Sequence, residues 1–168
     1  MTSRKIYYPY EAFREDLKAL TQKIDQDFDV RQFNAILGIA RGGLSMAQML
    51  GEYYDLREVY AINTIGYEGA QKKDSVEVFN VPGLKSAKKV LVVDDIVDSG
   101  DTLVEVLKVL KEKYPEVTFL TASLFYKKTA CIKPTWYVKE PQGWVEFFWS
   151  EDLKYPSLLA IWLQVIYH

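Results

Sequence analysis

Three acids and a short polar turn form the densest chemical signal in this chain: Asp94 and Asp95 directly follow the apolar run Val90-Leu91-Val92-Val93, and Asp98-Ser99-Gly100-Asp101-Thr102 comes next. An apolar run of this kind reads as a buried strand, and the stretch beyond Thr102 reads as a helix with Leu103, Val106, Leu107 and Leu110 on one face. In an open α/β sheet the ligand crevice lies beyond the carboxyl ends of the strands, which is where these acids fall. Backbone amides, the Ser and Thr hydroxyls and a helix amino terminus then converge on one anion. Carboxylates accept hydrogen bonds from sugar hydroxyls, and the turn supplies neutral donors for a phosphate, so the combination points to a phosphosugar. Two acids after a strand also serve as plain turn and helix caps. A nucleotide triphosphatase is a further alternative, but the chain has no GxxxxGK[ST] loop.

The longer pattern, four apolar residues followed by Asp-Asp-x-x-Asp-Ser-Gly-x-Thr, resembles the phosphoribosyl pyrophosphate motif of type I phosphoribosyltransferases, nearest to those acting on xanthine, guanine and hypoxanthine. The resemblance implies that Asp94 and Asp95 bind the ribose hydroxyls, and that Ser99, Gly100, Asp101 and Thr102 wrap the 5′-phosphate. It also implies that Asp98 is the catalytic residue, a general base acting at the imidazole-ring nitrogen of a 6-oxopurine. Asp101 departs from the many relatives that carry Gly, Lys or Arg there, and its side chain is expected to point away from the phosphate and stabilise the helix start.

Gly38-Ile39-Ala40-Arg41-Gly42-Gly43 is similar to the pyrophosphate loop of the same family. Taken alone, Gly-Gly after a strand is an ordinary turn. Paired with the downstream motif, Arg41 and Gly42 become candidate pyrophosphate ligands, with a cis peptide expected between Ala40 and Arg41. Gly66 and Tyr67 fall where relatives carry a flexible loop that closes over the site. Lys127 matches the lysine that recognises the purine 6-oxo group, since an ammonium donates hydrogen bonds and cannot accept them. Trp144, Val145 and Glu146 resemble the segment that covers and contacts the purine. Some six or seven residues past the aromatic, relatives carry an acid that can help hold a metal; Ser150 takes the sixth place here, so Glu151 is the candidate. Mg²⁺ is the implied cofactor.

These residues need a scaffold. At 168 residues with 49% hydrophobic content, the chain suits a single domain with one sizeable core. Apolar residues at three- and four-residue steps predict a helix over residues 10–28, and helices are also expected over 44–54 and 101–113. Strands are predicted over 35–39, 59–65, 89–93 and 117–125, with a polar loop over 66–75. The alternation implies an α/β fold, a mostly parallel twisted sheet flanked by helices. A core over about 34–128, a small hood for the base from about 129–157 with the amino-terminal segment, and a terminal helix over 158–167 complete the expected layout.

Composition narrows the chemistry further. A net charge of −2 argues against general capture of nucleic acid or anionic membrane. One cysteine, no signal-peptide pattern and no spanning segment point to the cytoplasm. His168 is the only histidine, leaving no material for a Ser-His-Asp triad or a His-rich zinc site. The apolar tail around Leu158, Leu159, Ile161, Trp162, Leu163 and Ile166 points to a homodimer or homotetramer. The family resemblance implies phosphoribosyl pyrophosphate and a purine base as partners, with no nucleic acid and no membrane. Two other functions stay open on these residues: a regulator that keeps the fold without catalysis, and a transferase for another base.

Overall fold

The computed structural model describes residues 4–27, 29–66 and 76–154. The chain divides into two compact units, Glu15–Pro141 and, discontinuously, Met1–Arg14 with Gln142–His168. The larger unit is built on a six-stranded sheet: β2 (Ala35–Ala40), β3 (Val59–Gly66), β4 (Val76–Phe79), β5 (Lys89–Val97), β6 (Thr118–Tyr126) and β7 (Trp136–Lys139). Strand β1 (Lys5–Tyr8) belongs to the smaller unit. The order across the large sheet is β4-β3-β2-β5-β6-β7, and every pairing is parallel except β3 with β4.

Continuous apolar runs account for the centre of this sheet. Ala35-Ile36-Leu37-Gly38-Ile39 and Val90-Leu91-Val92-Val93 are buried along their whole length, as strands covered on both faces must be. Side chains alternate between the faces. Ala35, Leu37, Ile39, Ile62, Val90 and Val92 pack with Leu103, Val106 and Leu110 of helix α3 (Asp101–Lys113). The opposite row, including Ile36 and Leu91, is equally buried. Helix α2 (Gly43–Tyr53) contributes Met46, Ala47 and Leu50 to the core, and Leu17, Leu20 and Ile24 of α1 (Tyr10–Asp27) are buried as well.

The chain leaves β2 towards β3 on one side and returns to β5 on the other, so its direction across the sheet reverses between β2 and β5. That reversal opens a crevice at the strands' carboxyl ends. The strand expected over 89–93 in fact runs on to Val97. Beyond Gly38↔Val93 no pair joins β5 to β2, whereas β5 and β6 stay in register through Asp94↔Ser123, Ile96↔Phe125 and Val97↔Tyr126. Pairing on the β6 side carries poor strand formers along, so both acids sit inside a strand that has lost one neighbour.

In the smaller unit β1 pairs in parallel with β8 (Trp144–Phe147), followed by the short helix α4 (Phe148–Glu151). Phe13, Phe148 and Trp149 pack as an aromatic cluster, with ring centroids of Phe13 5.7 and 5.5 Å from the other two. Strand β7 joins β6 in the large sheet, and Gln142 opens the second segment of the smaller unit. The terminal helix expected over 158–167 lies outside the described residues.

Leu91 is fully buried in the central strand, whereas Leu153 is 78% exposed. Leu91→Ala should cost about 2–5 kcal/mol in urea unfolding, and Leu153→Ala less than about 0.5 kcal/mol.

Candidate active site

A cavity of about 260 Å³ occupies the crevice, lined by Ile39, Ala40, Thr64, Asp94, Asp95, Ile96, Val97, Asp98, Ser99, Gly100, Thr102 and Leu103. Six of the expected site residues, Asp94, Asp95, Asp98, Ser99, Gly100 and Thr102, thus share one wall. Both acids of the pair are held deep among protein atoms while keeping some exposure to the cavity. Burial, reinforced by the charge of Asp95, pushes the Asp94 carboxyl well above the usual carboxylate range. Burial also pushes Asp95 up to about 6, against hydrogen bonds from the Ile96 amide and the Asp94 side chain that act to lower it. The Asp95 amide donates to Asp94 Oδ1 at 3.0 Å. Ligand hydroxyls or a cation would supply the positive partners that the protein leaves out.

The β2–α2 turn closes on this pair. The Ala40–Arg41 peptide is cis, and a Cβ on Gly42 would fall 2.1 Å from Asp95 Oδ2, so only glycine fits where this backbone passes the carboxylate. Arg41 is exposed and has no ion-pair partner among the described residues. Neither Arg41 nor Gly42 lines the cavity itself.

On the other side, Gly100 takes φ 93°, a conformation that L side chains rarely adopt, and it leads directly into α3. The first-turn amides of a helix have no partner within it; with the Val104 amide on the Gly100 carbonyl and that of Asp101 on Ser99 Oγ, those of Thr102 and Leu103 are left available to an anion. The Ser99 carbonyl accepts the Cys131 amide at 2.8 Å and Ser99 Oγ accepts the Asp101 amide at 3.4 Å, which fixes the turn from below. Asp101 does not line the cavity. Its Oδ1 accepts from Cys131 Sγ at 3.8 Å.

Register explains a further juxtaposition. Val97 and Tyr126 are partners at the ends of β5 and β6, and the Lys127 amide continues the ladder to the Val97 carbonyl at 3.0 Å. The next residue on each strand, Asp98 and Lys127, therefore emerges beside the other, and the two form an ion pair with both side chains part-exposed. A donor and an acceptor stand together next to the carboxylate cavity.

The remaining expected residues lie elsewhere. Gly66 ends β3, exposed, and Tyr67 lies outside the described residues. Trp144, Val145 and Glu146 begin β8 in the smaller unit. Trp144 is 56% exposed, Val145 is in register with Ile6, and Glu146 pairs with Lys5 at 2.5 Å. Glu151, in α4, is ion-paired with Lys154. Thr64 was not anticipated as a cavity residue: in sequence it is one ordinary strand former in a strand, and only the placement of β3 beside β2 brings it to the cavity.

A covered, mostly parallel sheet, a carboxylate pair at its switch point and a glycine turn opening a helix define an α/β protein with a polar cavity at the strands' carboxyl ends. The family described as phosphoribosyl transferase domain matches residues 3–156. A xanthine-guanine phosphoribosyltransferase of Cereibacter sphaeroides is 30% identical over 152 residues, 87% of each chain. The solved structure of Helicobacter pylori xanthine-guanine-hypoxanthine phosphoribosyltransferase is 36% identical with a TM-score of 0.82, covering 98% of this chain and 100% of that one. A purine phosphoribosyltransferase from Pyrococcus horikoshii matches at 26% identity and a TM-score of 0.72, over 92% and 97% of the two chains. The chain belongs to the phosphoribosyl transferase domain family.

The buried acids make stability depend on pH in a stated direction. Asp95 has an ordinary value of 3.8 and a folded value of about 6, so the folded chain holds more protons than the unfolded one between them. This contribution is fully present below 3.8 and is lost as pH rises through about 6. Asp95→Asn should therefore raise the ligand-free melting temperature at pH 7.5, by a stabilisation on the order of 1–3 kcal/mol, and do little at the acid end of the window. Thermal unfolding across pH checks this; equal shifts at both ends would contradict it.

Proposed function

We propose that the chain transfers the 5-phosphoribosyl group of phosphoribosyl pyrophosphate to the glycosylic nitrogen of a 6-oxopurine (guanine, hypoxanthine or xanthine), releasing pyrophosphate. The observation that carries the choice of base is the pairing of Asp98 with Lys127 beside the carboxylate cavity. A 6-oxopurine presents its carbonyl oxygen and a ring nitrogen side by side on one edge. A lysine donor next to a carboxylate acceptor complements that edge when the nitrogen carries a proton. Adenine offers an amino group in place of the carbonyl, and lysine has nothing with which to accept from it.

In this reading Asp94 and Asp95 accept hydrogen bonds from the ribose hydroxyls. The Ser99–Thr102 turn holds the 5′-phosphate through backbone amides and hydroxyls, with the α3 dipole behind it. Arg41, whose guanidinium stays charged, and the amides at Gly42 face the departing pyrophosphate and stabilise its growing charge. Asp98 receives the proton that the base gives up on forming the new bond, and Lys127 holds the ring in line. No covalent intermediate with the protein is required.

The donor set also fits Mg²⁺. Asp94 and Asp95 are hard oxygen ligands whose raised carboxyls lack a positive partner in the protein, and no three metal-ligating side chains cluster among the described residues. Substrate oxygens would complete its coordination, and the ion when bound would offset pyrophosphate charge. Trp144, Val145 and Glu146 are retained as proposed base contacts, and Glu151 as an additional metal ligand, on the family resemblance. Cytoplasmic location is proposed on the single cysteine, and self-association as a homodimer or homotetramer on the apolar sequence between Leu158 and Ile166.

The test is a product assay with phosphoribosyl pyrophosphate, Mg²⁺ and each free base in turn. Nucleotide should form with at least one 6-oxopurine and not with adenine; formation of no nucleotide would favour a non-catalytic regulator. Asp98→Asn should lower kcat by about 10²–10⁴-fold. Lys127→Ala should raise the base KM by roughly 10–100-fold and narrow the preference over adenine, as expected for a lost charged hydrogen bond. Full activity of Asp98→Asn with guanine and hypoxanthine would refute the role of that carboxylate.

A further inference from the structure

Strand β3 contributes one polar side chain to an otherwise apolar row. Tyr60 and Ile62 precede Thr64 on the same face by strand alternation, and both belong to the core against α3 or pack on it. The β4 residue paired with Thr64 is Val78, also packed on that core, and the β2 residue paired with Ile62 is Ile39. Valine would extend this row without a gap. Thr64 instead reaches the cavity wall, and its hydroxyl makes no hydrogen bond among the described residues. Three other threonines of the larger unit are committed: Thr21 donates to the Lys18 carbonyl at 2.8 Å, while Thr121 and Thr135 bond each other. The other free threonine hydroxyl in the same cavity is that of Thr102, at the phosphate turn.

Position across the sheet separates the two hydroxyls. From the phosphate turn the wall runs through β5, with Asp94 and Asp95, then β2, with Ile39 and Ala40, and finally β3, with Thr64. Two strand spacings, roughly 10 Å, separate β3 from β5. A phosphosugar with its 5′-phosphate on the turn and its hydroxyls on the acid pair would extend its second anionic group towards β2 and β3, next to the Arg41 turn.

We infer that the Thr64 hydroxyl is a direct ligand of the pyrophosphate group, opposite Arg41, and that it contributes to holding the donor and its leaving group without taking part in base recognition. This rests on the transferase reading above. An uncharged donor at this place orients an oxygen of the pyrophosphate without adding to the charge that must be released with the product, whereas a second cation would hold the product more tightly.

The decisive variant is Thr64→Val, which keeps shape and removes the hydroxyl, compared with Thr64→Ser, which keeps the hydroxyl. Steady-state rates would be measured forwards with phosphoribosyl pyrophosphate and a 6-oxopurine, and backwards with pyrophosphate and nucleotide; nucleoside monophosphate binding would be measured by calorimetry. Thr64→Val should raise KM for phosphoribosyl pyrophosphate and for pyrophosphate by roughly tenfold or more, the effect of losing a hydrogen bond to a charged group. KM for the base, monophosphate affinity and melting temperature should stay near wild type, and Thr64→Ser should recover most of the lost affinity. An unchanged pyrophosphate KM, or an equal loss of monophosphate affinity, would overturn the assignment. Failure of the wild type to form nucleotide from any base would instead strike the transferase reading on which it rests.

Discussion

Two adjacent carboxylates kept where burial resists their ionisation are the constraint around which the larger unit is arranged. Neither Asp94 nor Asp95 has a cationic side chain against it among the described residues, and desolvation is the first cause of the upward shift in both. A site purely for stability would pair such acids or replace them. Their retention leaves the cavity electrostatically incomplete, which favours a ligand bringing hydroxyl donors and a cation. The close passage of Gly42 by Asp95 serves the same arrangement, because a side chain there would occupy the carboxylate's own space.

Sheet register performs most of the positioning. Because β5 parts from β2 after Val93 but stays with β6 to Val97, one strand holds the acid pair facing an opening and then delivers Asp98 beside Lys127. The acid pair and the Asp98–Lys127 ion pair are thereby separated by a fixed number of strand residues. The anion turn is stiffened from below, where the Cys131 amide reaches the Ser99 carbonyl and Gly100 has Cys131 and Ile132 close beneath it. Rigid backbone, rather than long flexible side chains, sets the spacing between this turn and the acid pair.

Much of this was legible in the residues. Continuous apolar runs at 35–39 and 90–93 mark strands buried on both faces, and both form the centre of the sheet. Helices α1 and α3 follow the three- and four-residue spacing of Phe13, Leu17, Leu20 and Ile24, and of Leu103, Val106 and Leu110. The acids, the Arg-Gly-Gly turn and the cis peptide at Ala40–Arg41 came with the motif. What local patterning missed depends on partners distant in sequence. Extension of β5 through two aspartates is imposed by β6, the inclusion of β7 in the large sheet by its pairing with Ala122, Ser123 and Phe125, and the exposure of Thr64 to the cavity by the order of strands. The pairing of β8 with β1, at the other end of the chain, has the same origin.

Ligand hydroxyls and a cation that complete the buried carboxylate pair must displace protons from it on binding. Calorimetric titration of phosphoribosyl pyrophosphate with Mg²⁺ near pH 6, in buffers of different ionisation enthalpy, counts protons released per molecule bound. Wild type should release more than Asp95→Asn, because binding ionises an acid that the empty site holds partly protonated. Equal release from the two proteins, with both still binding, would contradict the account.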